Sequence, residues 1–467
     1  MLVFVVLPIV IAGGVYMAAG RATPPVIEIG RPQKLVGLAG TLDFSVDAPG
    51  GRFNAIDASL EQAGKRIPLF TLGGTIEADL RQETGTRVRI TRPLGKQSIP
   101  ELTSGPARIV VTASRPVLFG IRTAHASRTR DIEVRLEPPR VAVVSMHHYI
   151  NHGGSEMVVY RATPPEVPSG VRVGEVRYPG FAASGVGTTS DPSLRVAFFA
   201  LLHDQDLNSP MSLFAIDEAG NEGTAAFDHR VFEKTFKRSR IELDDSFLSR
   251  VVPEILEHAP DLKKEVDESS DLVPSFLKIN GDVRRANAEQ IAAFSTATAP
   301  RMLWSGPFLQ LGNSQVESSF ADHRSYFYKG EEVDQQVHLG FDLAVTANVP
   351  IIAANSGNVL SAGYLGIYGN CVILDHGLGV QSLYGHLSSV SVTAGRHVEK
   401  GQPLGRSGMT GLAGGDHLHF TMLLDGHPVS PVEWWDPHWI DDRIVRKLRE
   451  AGLTTSTGEA AQAAPRP

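Results

Sequence analysis

At 467 residues the chain exceeds what one hydrophobic core organises, and its length alone suggests about three domains. Hydrophobic residues make up 42% and charged residues 20%, while 46 glycines and 30 prolines favour turn-rich β structure over a helical bundle. A formal net charge of -7 without a basic stripe gives no expectation of nucleic-acid binding, and the single cysteine, Cys371, excludes an intramolecular disulfide and any metal site built from several thiolates.

From Met1 to Gly20 there is no charged residue, and residues 2–11 are almost all Val, Leu, Ile and Phe. A helix of that length spans roughly 30 Å, the thickness of a bilayer hydrocarbon core. Residues 1–20 therefore read as a membrane anchor or a secretory signal. Ala18-Ala19-Gly20 resembles a small-residue cleavage site, but the basic segment of a signal is missing, which favours the anchor. The body is expected to be exported: membrane-anchored and facing the periplasm, or secreted if the segment is cleaved.

Residues 25–138 and 139–232 each read as short strands between turns, the pattern of a β-sandwich-like domain. Residues 41–46, 107–113 and 132–136 are the clearest strands of the first. In 240–299 the chain turns acidic and helix-prone. Asp244-Asp245 is placed to cap a helix with Phe247, Leu248, Val251, Val252, Ile255 and Leu256 on its apolar face, with Pro253 expected to kink or split it. This helical connector either packs blandly or covers and positions a site. Residues 300–437 return to β patterning. Within them, Cys371 lies in the apolar run Asn370-Cys371-Val372-Ile373-Leu374 and reads as a small buried hydrophobe. The tail, 454–467, has a disorder-prone composition.

Two short segments carry chemistry. In His338-Leu339-Gly340-Phe341-Asp342-Leu343, strand alternation puts His338, Gly340 and Asp342 on one face and the apolar residues on the other. In His417-Leu418-His419-Phe420 the two histidines share a face opposite Leu418 and Phe420. Two adjacent strands of this kind would gather His, Asp and His around one ion. Imidazole nitrogen and carboxylate oxygen suit zinc, and three protein ligands leave a fourth position for water, as in a catalytic site.

These segments resemble the His-x-x-x-Asp and His-x-His signatures of the lysostaphin-like (LytM-type) zinc endopeptidases. Ser382-Leu383-Tyr384-Gly385-His386-Leu387 is similar to a third signature of that family, and the resemblance covers roughly residues 300–435. It implies that His338, Asp342 and His419 bind Zn2+ and that His386 and His417 are the catalytic non-ligand histidines. It further implies a C-terminal β domain of duplicated hybrid motif fold hydrolysing the peptide cross-links of bacterial peptidoglycan. Tyr384, two residues before His386, would face the same cleft or pack in the core. Asp416 stands where the commonest family form has Pro; it orients His417 or shapes the turn. No His-Glu-x-x-His motif is present, which argues against the other common route to a zinc protease.

The remaining histidines invite over-reading. His147, His148 and His152 have no carboxylate near them in sequence and read as a solvated loop, not a metal site. His376 falls in an expected turn and, like His427 and His438, carries no motif. The whole chain is expected to be mainly β: N-terminal β-sandwich-like domains, a helical connector and a C-terminal endopeptidase domain. Its partners would be peptidoglycan stem peptides and an envelope protein bound through the N-terminal domains. The rival is a non-catalytic wall-binding scaffold or activator of another hydrolase. Retention of usable chemistry at His338, Asp342, His386, His417 and His419 favours the enzyme; a zinc peptidase acting on proteins is a third reading.

Overall fold

The computed structural model describes residues 10, 13–17, 22–48, 50–260 and 271–453. Most of the anchor or signal segment expected at residues 1–20, and all of the tail from residue 454, lie outside the described residues. Among the described residues no helix is long and apolar enough to cross a membrane. The chain is mainly β and divides into two compact units, Met1–Pro139 with Ile216–Gly223, and Arg140–Ala215 with Thr224–Pro467.

In the first unit, one sheet orders the strands Val26–Arg31, Gly40–Asp47, Arg87–Leu94 and Asp79–Gln82. A second orders Leu35–Val36, Arg122–Val134, Gly105–Val117, Ala55–Gln62 and Lys65–Thr71. The alternating apolar residues of both, among them Leu42, Phe44, Leu60, Ile90 and Ile109, form one buried cluster, as period-two patterning requires. The 216–223 excursion is tied in by Asn221, which accepts from Leu38 N at 2.6 Å and donates to the Arg135 carbonyl at 2.9 Å.

In the second unit the strands of 140–215 and those beyond residue 300 share one apolar core that runs from Ile150 to Leu453. Trp434, fully buried, is its hub: Phe198, Trp304, Phe308 and Trp439 pack around it at ring separations of 5.3–5.8 Å. Its indole N–H donates to Ser155 Oγ at 3.1 Å, so the polar end of the ring is satisfied. The main sheet orders Gln315–Ser318, Phe341–Ala344, His417–Leu424, Val380–Leu387, Asn370–Gly377, Gly357–Tyr364 and His397–Val398. A smaller sheet orders Arg238–Leu243, Asp322–Tyr328 and Glu331–His338. Cys371 is fully buried, and burial pushes its thiol up to about 12, the inert residue the apolar run predicts.

The connector forms helices Asp245–Glu257, Val273–Lys278 and Arg284–Ala293. Asp244 caps the first, accepting from Phe247 N at 2.7 Å. Pro253 does not split that helix, which runs unbroken through it. Leu248, Val251, Val252 and Ile255 bury themselves against Phe276, Ile279, Tyr326 and Ile367, and this packing outweighs one lost backbone hydrogen bond.

After the main sheet, the chain returns through short helices between residues 432 and 450 and buries Lys447 beside Glu156, Nζ to Oε1 2.6 Å, with side chains 1% and 0% exposed. Glu156 also accepts from Tyr149 N and Met157 N. Removing only the cation strands a buried charge. Lys447→Met is therefore expected to cost about 3–5 kcal/mol in denaturant unfolding. Adding Glu156→Gln, whose amide oxygen still accepts from Tyr149 N, should recover most of that loss.

Candidate metal centre

The strand expected to run through the first signature is interrupted. His338 ends Glu331–His338 in the smaller sheet, Asp342 lies in Phe341–Ala344 of the main sheet, and Leu339-Gly340 bends between them. The bend makes room for another imidazole. A Cβ on Gly340 would lie 2.5 Å from His419 Nε2 and 2.6 Å from Thr421 Oγ1, so only glycine fits. Phe341–Ala344 pairs antiparallel with His417–Leu424, placing Asp342 opposite His419 and Ala344 opposite His417. Leu418 and Phe420 point into the core at 3% and 2% exposure, and the two histidines face the site, as alternation predicts.

The hydrogen bonds around the site fix its tautomers. His338 Nδ1 lies 3.2 Å from the Ser319 carbonyl, which can only accept, so Nδ1 carries the proton and Nε2 a lone pair. Thr421 Oγ1 gives its hydrogen to the Leu339 carbonyl at 2.9 Å. It must therefore accept from His419 Nε2, 3.0 Å away, leaving the lone pair on Nδ1. His338 Nε2, His419 Nδ1 and Asp342 Oδ1 then meet at 2.9–3.0 Å from one another. With both imidazoles neutral, three lone pairs converge with no proton between them. Such a donor set could hold a cation, and among the described residues this is the one His/Cys/Asp/Glu group arranged to do so. Burial pushes His419 down to about 4, which keeps it neutral. Burial works to raise the Asp342 carboxyl, but the imidazoles of His338, His417 and His419 around it prevail and hold it well below the usual carboxylate range.

His386 and His417 stand beside this group with ring centroids 4.8 Å apart. Each donates from Nδ1 to a carbonyl at 2.8 Å, His386 to Thr410 and His417 to Gly415, so each keeps Nε2 as its free nitrogen. His417 Nε2 is 3.4 Å from Asp342 Oδ1. Burial, reinforced by His417 and His419, pushes His386 well down. For His417 burial acts the same way, but the hydrogen bond and charge of Asp342 prevail and raise it. The two imidazoles are thus driven in opposite directions.

Tyr384 does not share their face. Gly385, not Tyr384, lies opposite His419. His386 has φ +62°, a left-handed conformation that costs about 1–3 kcal/mol in a non-glycine residue. That twist turns its ring out of the strand's alternation and into the site. Tyr384 instead is 1% exposed, with its hydroxyl accepting from Ala354 N at 2.8 Å. Asp416 accepts from Asn348 N at 3.1 Å, which ties the bend before His417 to a loop 68 positions away.

Other expectations are corrected by burial. His376 lies in the strand Asn370–Gly377, not a turn. It is fully buried between the Ser356 carbonyl and Ser382 Oγ, both at 2.7 Å. His148 is also buried, held by Ser145 Oγ and the Asp228 carbonyl, because His148–Asn151 pairs with His229–Phe232. The loop reading overlooked this parallel partner some eighty residues away, which no local pattern announces.

The site lies in a cavity of about 180 Å³ walled partly by the connector, through Arg284, Ala288 and Ile291. Sequence motifs also missed Thr421, Ser318, Asp322 and Arg324. Thr421 alone had a signal, since it continues the His-x-His alternation by one step. Gly340→Ala should drive the His419 ring from its place. The variant is expected to fold with a lowered melting temperature and to lose metal binding in calorimetric titration.

Residues 336–431 match Peptidase family M23. The chain is 39% identical over 97 residues to the DD-carboxypeptidase/endopeptidase Mpg of Neisseria meningitidis, covering 21% of this chain and 22% of that protein. It is 34% identical over 96 residues to the peptidoglycan DD-endopeptidase ShyA of Vibrio cholerae, covering 21% and 22%. It is 32% identical over 106 residues to the murein hydrolase activator EnvC of Escherichia coli, covering 22% and 25%. The chain thus spans a quarter or less of the length of these relatives. The match encloses the strands that bring His338, Asp342, His386, His417 and His419 together, and the chain carries, at residues 336–431, a peptidase family M23 domain.

Proposed function

We propose that the chain is a zinc-dependent endopeptidase that hydrolyses peptide cross-links of bacterial peptidoglycan outside the cytoplasmic membrane. The observation that carries this reading is the convergence of three lone pairs from His338, Asp342 and His419 beside two further imidazoles. Two imidazole nitrogens and one carboxylate oxygen, without thiolate, are a zinc donor set that leaves one position open. When bound, zinc supplies a Lewis acid that polarises the scissile carbonyl and brings the pKa of water towards about 7.

The chain's own residues do the rest. His386, kept neutral by burial, accepts the proton of the attacking water through Nε2. His417, whose protonation Asp342 favours, donates from Nε2 to the oxyanion of the tetrahedral intermediate. The carbonyls of Thr410 and Gly415 hold both rings in the required tautomer. The relatives named as peptidoglycan endopeptidases support wall stem peptides as substrate. Residues 1–20 would anchor the protein in the membrane or direct its export, and the N-terminal strands would position it or bind an envelope partner.

A second reading, a non-catalytic activator, is favoured by the likeness to EnvC. It does not require the acid and base chemistry that this chain retains. The test is digestion of purified peptidoglycan by the zinc-loaded full chain, read by mass spectrometry. Cross-linked dimers should become monomers. Asp342→Ala should lose both zinc and activity, while His386→Ala and His417→Ala should keep zinc and slow cleavage by about 10²–10⁴-fold. Intact dimers after incubation with folded, zinc-loaded protein would turn the assignment to the activator.

A further inference from the structure

Behind the three converging donors lies a second layer of buried polar groups, supplied by strands that no motif marks. Asp342 has two carboxylate oxygens, and only Oδ1 meets the histidines. Oδ2 accepts from Arg324 Nη2 at 2.8 Å. Arg324 stands on the strand Asp322–Tyr328 of the smaller sheet and is largely buried, its side chain 20% exposed. Two residues earlier on the same face is Asp322, 1% exposed, whose Oδ2 is 3.7 Å from Arg324 Nε. Asp322 lies directly opposite His338 in the antiparallel pairing.

Asp322 also reaches the other donor. Ser318 Oγ donates to Asp322 Oδ2 at 3.1 Å, and Ser239 Oγ donates to the same oxygen at 2.8 Å. With its hydrogen committed to the carboxylate, Ser318 Oγ is an acceptor towards His338 Nδ1–H, 3.2 Å away. One buried carboxylate therefore reinforces, through a serine, the His338 tautomer that the Ser319 carbonyl sets, and balances the guanidinium that occupies half of Asp342.

We infer that Arg324 and Asp322 are positioning residues for the metal centre, Arg324 by reserving Asp342 Oδ2 so that Oδ1 alone is offered to the ion, and Asp322 by holding both Arg324 and the Ser318–His338 contact. The inference rests on the metal-centre reading. Neither residue is among the three converging donors, and Arg324 also forms part of the cavity wall. Their effect is on geometry: Arg324 holds the Asp342 carboxylate with Oδ1 turned to the His338 and His419 nitrogens, and without it that oxygen is no longer fixed among them. Arg324 also counters the repulsion between the Asp322 and Asp342 carboxylates, so its loss would not be made good by neutralising Asp342 alone. Outer partners of this kind set metal affinity by about 10–100-fold.

The test is zinc affinity of the full chain, measured by competition with a chromophoric chelator, together with the visible spectrum of the cobalt(II)-loaded protein. Wild type should bind one zinc. Arg324→Met should bind about 10–100-fold more weakly, and its cobalt spectrum should differ from that of wild type in band position and intensity. Arg324→Lys keeps the charge but not the planar fork and should fall between the two. Asp322→Asn is nearly isosteric and carries the test if Arg324→Met fails to fold; it should weaken zinc while leaving the apo protein's melting temperature close to wild type. Wild-type affinity and spectrum in folded Arg324 and Asp322 variants would overturn the inference while leaving the metal centre intact. A wild type that binds no zinc would overturn the metal-centre reading and this inference with it.

Discussion

A carboxylate taken out of water is costly unless cations or donors surround it, and Asp342 is the place where this protein meets that cost. One of its oxygens is held by Arg324, and the other faces three imidazoles. Around this one charge the other parts are arranged. The strand pairing puts His419 across from it, the bend at Gly340 brings His338 back to it, and the turn before His417 holds that ring within reach. Because the neighbouring carbonyls and hydroxyls consume the imidazole protons, the centre presents lone pairs and not hydrogen bonds to itself. An arrangement of that kind could hold a cation, unlike a cluster of mutually satisfied polar side chains.

The group depends on two sheets meeting, since neither carries all three donors. His338 belongs to the smaller sheet and Asp342 and His419 to the main one, so the break at Leu339-Gly340 is a structural requirement of the site. His386 illustrates the same economy at a single residue. Its left-handed backbone is unfavourable locally, yet it is held by the Thr410 carbonyl and by tight packing on the strand that carries it. Strain of this kind persists only where the surroundings over-determine the conformation.

The connector and the helices after residue 432 give the site its rigidity. Arg250 of the first connector helix donates to the Ala413 carbonyl at 2.6 Å, and Glu254 accepts from Gly411 N at 2.8 Å, which secures the glycine-rich approach to His417. Asn287 accepts from Ile367 N at 3.0 Å and fastens the third connector helix beside Tyr368, another wall of the cavity. At the opposite end of the domain, Trp434 and Lys447 bind the closing helices to the strands of 140–215 through one shared core. The peptidase strands are therefore braced from both sides by parts of the chain that carry no signature.

By itself the sequence determined the β character, the apolar rows of Leu418 and Phe420, the helix cap at Asp244 and the burial of Cys371, and, with the family resemblance that alone supplied His386, it named the candidate residues of the centre. Each of these rests on period-two or helical spacing, or on short motifs whose members lie on adjoining strands, and local spacing is what a sequence records. Tertiary structure alone decided the rest. It placed the interruption between His338 and Asp342, the twist that separates His386 from Tyr384, and the burial of His148 and His376. It also brought Arg324 and Asp322 behind the converging donors. Those outcomes depend on which distant strands pair and on what occupies the space beside a glycine, and neither is written in the order of neighbouring residues.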